Sequence, residues 1–300
     1  MTTKKWLNCR LRDIQAKLVE QGHALSLPVI SRLLKAQDYR LRANRKEAEG
    51  PDPPERAGQF AHIQEQREAH QQAGQPCISV DTKKKELIGN FKNAGRIWCQ
   101  EAAPVNIHDF PGEAVGRAVP YGIYDLQHNR GTVYVGQSCD TPEFAVDNLT
   151  NWCQTELPVR FPGATHLFIE ADGGGSNASR SRVFKKDIQE KLADGLGLTV
   201  TVSHYPPGTS KWNPIEHRLF SEISKTWAGS PLRSFDLVLD YIADTKTQSG
   251  LSVQAHLVTA EYSTGTRVTD EVMQSLNIQF HEICPQWNYT ISPRSQPSPA

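Results

Sequence analysis

Residues 165–180, THLFIEADGGGSNASR, hold a run of strand-forming residues that ends on Asp172 and breaks into three glycines before a helical pattern starts. Leu167, Phe168 and Ile169 form a short apolar run bounded by turn signals, which predicts a buried strand. ASRSRVFKKDIQEKLADG (178–195) then predicts a helix closed by Gly195, and LTVTVSHY (198–205) a further strand. A strand, a helix and a second strand in this order predict parallel neighbours joined by a right-handed crossover. In open α/β sheets chemistry sits beyond the carboxyl ends of the strands, where Asp172 falls. Gly173, Gly174 and Gly175 remove side-chain bulk beside that carboxylate and let a polymer backbone approach.

Upstream, CISVDTK (77–83) predicts a strand carrying Asp81, and AVPYGIYDL (118–126) and GTVYVGQS (131–138) predict two more, joined through QHNR (127–130). Thr141 caps a helix running toward Leu157, and residues 214–227 form the helix after the last of these strands. The order βββαβαβα predicts an α/β fold, a ribonuclease H-like mixed five-stranded sheet flanked by helices. Asp81 and Asp172 then lie on neighbouring central strands. Beyond Leu232 the pattern predicts another helix, two short strands within GLSVQAHLVTAEY (250–262), and a disordered tail, SPRSQPSPA (292–300).

Charge is unevenly spread. Residues 1–46 hold 11 Lys and Arg against 3 acids, a net +8, while the remainder holds 22 against 30, a net −8. Such asymmetry points to a nucleic-acid partner for the head. Leu11, Ile14 and Leu18, a break at Gly22, then Ser26 and Pro28 before Val29, Ile30, Leu33 and Leu34 predict a helix-turn-helix. Arg40, Arg42, Arg45 and Lys46 follow it as candidate phosphate contacts. The expected organisation is a helix-turn-helix at 1–48, a linker and bridging helix at 49–76, a catalytic core at 77–232 and a C-terminal extension at 233–300. Six scattered cysteines without a C-x-x-C argue against structural zinc, and no run approaches the roughly 18 apolar residues of a membrane span. A reduced, cytoplasmic protein with no membrane partner is expected.

Glu216 admits two readings. Asn213, Pro214, Ile215 and Glu216 fit the N-cap, N1, N2 and N3 positions of a capping box, which would direct the Glu216 side chain back to the Asn213 amide. Helical spacing also groups Glu216 with Leu219, Phe220, Ile223 and Trp227, a stripe expected to face the sheet and so Asp81 and Asp172. Two aspartates and a glutamate at one point are hard oxygen ligands suited to Mg²⁺, with Mn²⁺ as a substitute. Two such ions would activate a nucleophile and stabilise the leaving oxygen of a phosphodiester. Lys83, Lys84, Lys85, Lys92, Arg180, Arg182 and Lys211 are candidate phosphate contacts, and His204, His217 and Asn213 secondary candidates. His108 and Asp109 belong to a turn, HDFPG, without an assigned role.

ISVDTKKKELIGNFKNAGR (78–96), VPYGIYDLQHNRGTVYVG (119–136), ADGGGSNASR (171–180) and HYPPGTSKWNPIEHRLFS (204–221) together resemble the DDE transposases of bacterial insertion sequences, in particular the ISAzo-type family. The resemblance runs from about Arg12 to Pro293, and NPIE (213–216) is similar to the third-carboxylate motif of Tc-mariner transposases. It implies a triad of Asp81, Asp172 and Glu216 and Mg²⁺-dependent cleavage and strand transfer at element ends. It also implies double-stranded DNA as partner and a homo-oligomer on that DNA. Family members carry more chain before the helix-turn-helix, so a shortened head is expected here. A structure-selective nuclease of the same fold and a silent DNA-binding remnant are the competing readings.

Overall fold

Ser79 and Asp81 alternate along β1 (Cys77–Thr82) with Ile78 and Val80, so the strand sends polar groups to one face of its sheet and apolar groups to the other. The structure, a computed structural model, describes residues 9–40, 55–209 and 212–294. The chain divides into two units, Met1–Pro51 and Asp52–Ala300.

In the first unit α1 (Leu11–Glu20) and α2 (Leu27–Ala36) are the two helices expected from the head. Asp13 accepts the Arg10 amide at 2.9 Å, which satisfies a free N–H of the first turn. Gln15 reaches the Leu25 carbonyl at 2.7 Å and ties the turn, and Ile30 is buried. Ser26 stands at the N-cap of α2 without a side-chain cap bond. The Arg40 guanidinium donates to the Lys35 carbonyl at 2.6 Å, at the C-terminal end of α2. Arg42, Arg45 and Lys46, and most of the proline-rich break, lie outside the described residues.

In the second unit the strands are β1, β2 (Glu86–Ile88), β3 (Gly116–Asp125), β4 (Arg130–Gly136), β5 (His166–Ala171), β6 (Thr199–His204), β7 (Ser252–Val258), β8 (Ile278–Phe280) and β9 (Asn288–Ile291). They form a sheet in the order β7-β4-β3-β1-β5-β6-β9-β8, with β2 on β3. Its centre, β4-β3-β1-β5-β6, has antiparallel β1–β3 and β3–β4 pairs and parallel β1–β5 and β5–β6 pairs. This is the ribonuclease H-like order predicted from the sequence. The sheet is wider than the five strands expected, because β7 joins parallel to β4 and β9 antiparallel to β6. Residues 250–262 supply one strand, β7, where two were expected; most of its residues are exposed, as suits a sheet edge.

Helices cover both faces. Beneath β1 and β3, Ile78, Val80, Tyr121 and Ile123 pack on α4 (Pro142–Arg160) and α5 (Arg182–Asp187), the latter continued by a wide π turn at Ile188–Asp194. On the opposite face Tyr124, Val133 and Val135 receive Ile215, Leu219, Phe220 and Ile223 from a π turn (Glu216–Phe220) and α6 (Ser221–Thr226), together with Val238 and Ile242 of α7 (Phe235–Ala243). That face extends over β5, where Ile63 of α3 (Arg56–Gln72) packs with Cys77, Phe168 and Tyr205. The α3 helix, expected to bridge, is part of this body: Gln59 donates to the His204 carbonyl at 2.8 Å, and Arg67 pairs with fully buried Glu170 at 2.6 Å. The short α8 (Asp270–Gln274) follows β7.

Two glycines let the π turn lie flat. A Cβ on Gly122 would stand 2.6 Å from the Phe220 ring and 2.9 Å from Ile215, and one on Gly131 would stand 2.5 Å from Leu219. Gly122 pairs with Asp81 across the β1–β3 ladder, so the clearance falls beside the carboxylate. Gly122→Ala is therefore expected to lower stability by about 1–3 kcal/mol, the usual effect of overpacking. Urea denaturation checks this, and an unchanged midpoint would show that the π turn has room to retreat.

Candidate active site

Asp81 sits near the carboxyl end of β1, and Asp172 directly follows β5, which pairs with β1 in parallel register through Val80 and Ala171. Alternation places Ser79, Asp81, Glu170 and Asp172 on the same face, the one covered by the π turn. Asp81 is 9% exposed. Burial raises its pKa, the charges of Asp172 and Glu216 add to the effect, and the Glu216 carboxyl lies within hydrogen-bonding reach, so the group is pushed up to about 9. Its own bond to the Thr82 amide, 2.7 Å, opposes the rise. The Asp172 pKa is also raised, first by burial and then by Glu216 and Asp140, against a bond from the Gly174 amide. The three carboxylates expected from the sequence are thus brought together electrostatically.

The local chain explains Glu216. The capping-box geometry does not form: Asn213 turns its side chain away from the helix and into the sheet, where it donates to the Val80 carbonyl at 3.3 Å and accepts from Ser79. The Ile215 amide is capped from outside the helix by Ser79 Oγ at 3.1 Å. The Glu216 carboxyl is directed to Asp81. The π turn beginning at Glu216 is a wide turn of the kind often found at functional sites, and Leu219, Phe220, Ile223 and Trp227, the stripe expected from helical spacing, are buried in one cluster. Glu222 instead pairs with Lys225 at 2.6 Å.

Asp81 and Asp172 line an open cleft of about 470 Å³ with Lys83, Lys84, Lys85, Arg117, Asp140, Gly175 and Ser176. Glu216 lines an adjoining cleft of about 570 Å³ with Lys83, Lys84 and Lys92. Lys83 and Lys84 border both. Lys83 is buried, stacks 4.5 Å over the Trp227 ring and lies 3.4 Å from Glu86; burial lowers its pKa. Gly175 adopts φ 63°, a left-handed conformation, and a Cβ there would meet nothing, so the loop leaves the cleft open beside Asp172.

Other candidates separate. His204 is fully buried, its pKa lowered by burial to about 4, and its Nδ1 donates to the Asp172 carbonyl at 2.9 Å. It holds the backbone of Asp172 and stays neutral. His217 lines a different hollow, with Arg218, Tyr124 and Asn129. Arg182 is engaged by Asp270 at 2.6 Å and the Val268 carbonyl at 3.2 Å, Arg180 is exposed, and Lys211 lies outside the described residues. Asp109 lines a shallow hollow with Lys92, and His108 rests against Phe110. Sequence reading missed Asp140, which accepts from Thr82 at 3.1 Å and pairs with Lys85 at 3.3 Å inside the cleft. The available signal was its place between the third strand and the Thr141 cap. Arg117 and Ser176 were also missed, since neither carries a motif.

The donor set fits a divalent cation. Asp81, Asp172 and Glu216 offer hard oxygens, and their mutual repulsion is what an added cation relieves. They do not form a closed cage: among the described residues no three His, Cys, Asp or Glu side chains are gathered closely enough to enclose an ion.

A family model described as the Rhodopirellula transposase DDE domain matches residues 1–293. No curated protein matches the chain. Among solved structures, a pre-cleavage Mos1 transpososome aligns with a TM-score of 0.47 at 11% identity, covering 81% of this chain and 72% of that one. The Mos1 mariner paired-end complexes with Mn and with Mg both align at 0.46, at 12% and 11% identity, each over 81% of this chain and 72% of theirs. No helix among the described residues is long and apolar enough to cross a membrane.

Because the folded-state pKa of Asp81 is raised, the folded chain holds a proton that the unfolded chain releases above about pH 4, so stability falls between pH 4 and pH 9 as that proton is lost. Asp81→Asn removes this slope. Without added metal, the variant is expected to melt above the wild type at pH 8 and to converge on it near pH 4. Mn²⁺ is expected to raise the wild-type melting temperature and leave Asp81→Asn unmoved. Parallel pH curves for the two proteins would show that Asp81 is not held in this environment.

Proposed function

The chain belongs to the DDE transposase family, and from that membership we propose that Asp81, Asp172 and Glu216 hold divalent cations, Mg²⁺ or Mn²⁺, for DNA strand cleavage and strand transfer at insertion-sequence ends. The observation that carries this reading is the buried Asp81 carboxyl, within reach of Glu216 and in the field of Asp172, on one sheet face beside an open, lysine-bordered cleft. Bound there, a pair of such ions supplies the charge that activates a water or a 3′-hydroxyl and stabilises the departing oxygen of an in-line displacement.

The protein's own groups do the placing. Lys84 and Arg117 border the cleft and bind non-bridging phosphate oxygens, and Lys83 fixes charge between the two clefts. Gly175 leaves room for the DNA backbone beside Asp172. His204 holds the Asp172 carbonyl and moves no proton. No side-chain nucleophile is required, so no covalent protein–DNA intermediate forms. The basic head, with the α1–α2 pair, contributes duplex affinity, and joining two element ends calls for a homo-oligomer on the DNA.

Glu216→Gln keeps the length and hydrogen-bonding capacity of the side chain and removes its charge. It is expected to fold at least as stably as the wild type without metal, because it removes a charge that opposes ionisation of Asp81, and to lose metal-dependent cleavage and joining of DNA that carries the element's ends. Glu222→Gln is expected to retain both. Full activity in Glu216→Gln would remove it from the site, and cleavage without joining by the wild type would favour a nuclease.

Deleting residues 1–46 is expected to spare the melting transition of the remaining chain and to flatten the dependence of duplex affinity on salt, since that segment carries the net +8. An unchanged salt slope in filter binding would place duplex affinity elsewhere.

A further inference from the structure

Ser79 lies two residues before Asp81 on β1, and Asn213 three residues before Glu216. Both are fully buried. Ser79 Oγ donates to Asn213 Oδ1 across 134 residues of sequence and accepts the Ile215 amide at 3.1 Å. Asn213 Nδ2 donates in turn to the Val80 carbonyl at 3.3 Å, the residue between Ser79 and Asp81. Each polar atom of the pair is thereby used, and the first turn of the Glu216 helix is fastened to the strand of Asp81 at three points.

An ordinary helix cap would lie within its own helix and leave the helix free to slide over the sheet. The apolar contacts of Leu219 and Phe220 hold the helix down but are non-directional, and tolerate small shifts along the strand. Hydrogen bonds with fixed donors and acceptors do not. We propose that Ser79 and Asn213 are positioning residues that set the register of Glu216 against Asp81 and so the span that a divalent cation must bridge. The proposal rests on the reading of those acids as cation ligands. Groups that orient ligands without touching the metal typically change its affinity 10–100-fold when removed.

The test is a Mn²⁺ titration of the full chain, followed by the electron paramagnetic resonance of free Mn²⁺, at a temperature where circular dichroism shows each variant folded. Ser79→Ala is expected to weaken Mn²⁺ binding by about tenfold or more, and Ser79→Thr, which keeps the hydroxyl, to retain wild-type affinity. Single-turnover cleavage by Ser79→Ala is expected to recover as Mn²⁺ is raised, with DNA affinity unchanged. If Ser79→Ala does not fold, Ser79→Cys, which keeps the size and weakens the hydrogen bonds, is read the same way. Wild-type Mn²⁺ affinity in the Ser79 variant, alongside weakened binding in Glu216→Gln, would overturn the positioning role and leave the ligand assignment standing. Wild-type binding in Glu216→Gln and Asp81→Asn would overturn the ligand assignment itself.

Discussion

Asp81 is a carboxylate that the fold makes costly to ionise. It is almost entirely buried, the Glu216 carboxyl stands within hydrogen-bonding reach, and Asp172 adds a third acid on the same sheet face. Nothing in sheet formation favours this arrangement; apolar docking enforces it. Ile215, Leu219, Phe220 and Ile223 are buried against Tyr124, Val133 and Val135, and each such side chain contributes about 1.5–3 kcal/mol as an upper estimate. This apolar docking holds the π turn and α6 on the sheet and so keeps Glu216 beside Asp81. A site strained in this way is relieved by a divalent cation, which is the physical link between the fold and the proposed chemistry.

The surroundings restrict how the strain can relax. Gly122 and Gly131 clear the floor on which the π turn rests. Ser79 and Asn213 fasten the turn to β1, His204 holds the Asp172 carbonyl, and Gln59 of α3 holds the carbonyl of His204. The polar network therefore runs from α3 beneath the end of β6 to the loop that carries Asp172. Lys85 and Thr82 occupy Asp140, which keeps that fourth acid within the cleft while partly neutralising its charge.

Much of this was legible in the sequence. The strand carrying Asp81, the strand ending before Asp172 and the order of the five central strands follow from short apolar runs between turn signals, a local pattern. What was not legible depends on partners distant in sequence. Asn213 looks like a helix cap because its neighbours in sequence are a proline and a glutamate; its actual partner, Ser79, lies 134 residues away. The π turn could not be read from a spacing rule that assumes α-helical geometry. Arg182 pairs with Asp270, 88 residues further along the chain, and β7 is a single strand where two were expected, its pairing with β4 being invisible in its own sequence. The width of the sheet was underestimated because its outer strands are fixed by pairing with distant segments, β7 with β4 and β9 with β6.

The most direct measurement is anomalous diffraction from crystals of the protein grown or soaked with Mn²⁺. The account predicts an anomalous peak in contact with an Asp81 oxygen and bounded by Asp172 and Glu216, with Ser79 and Asn213 still paired behind it. A peak held by Asp140 without Asp81, or Mn²⁺ absent from the crevice in crystals that bind it elsewhere, would contradict it.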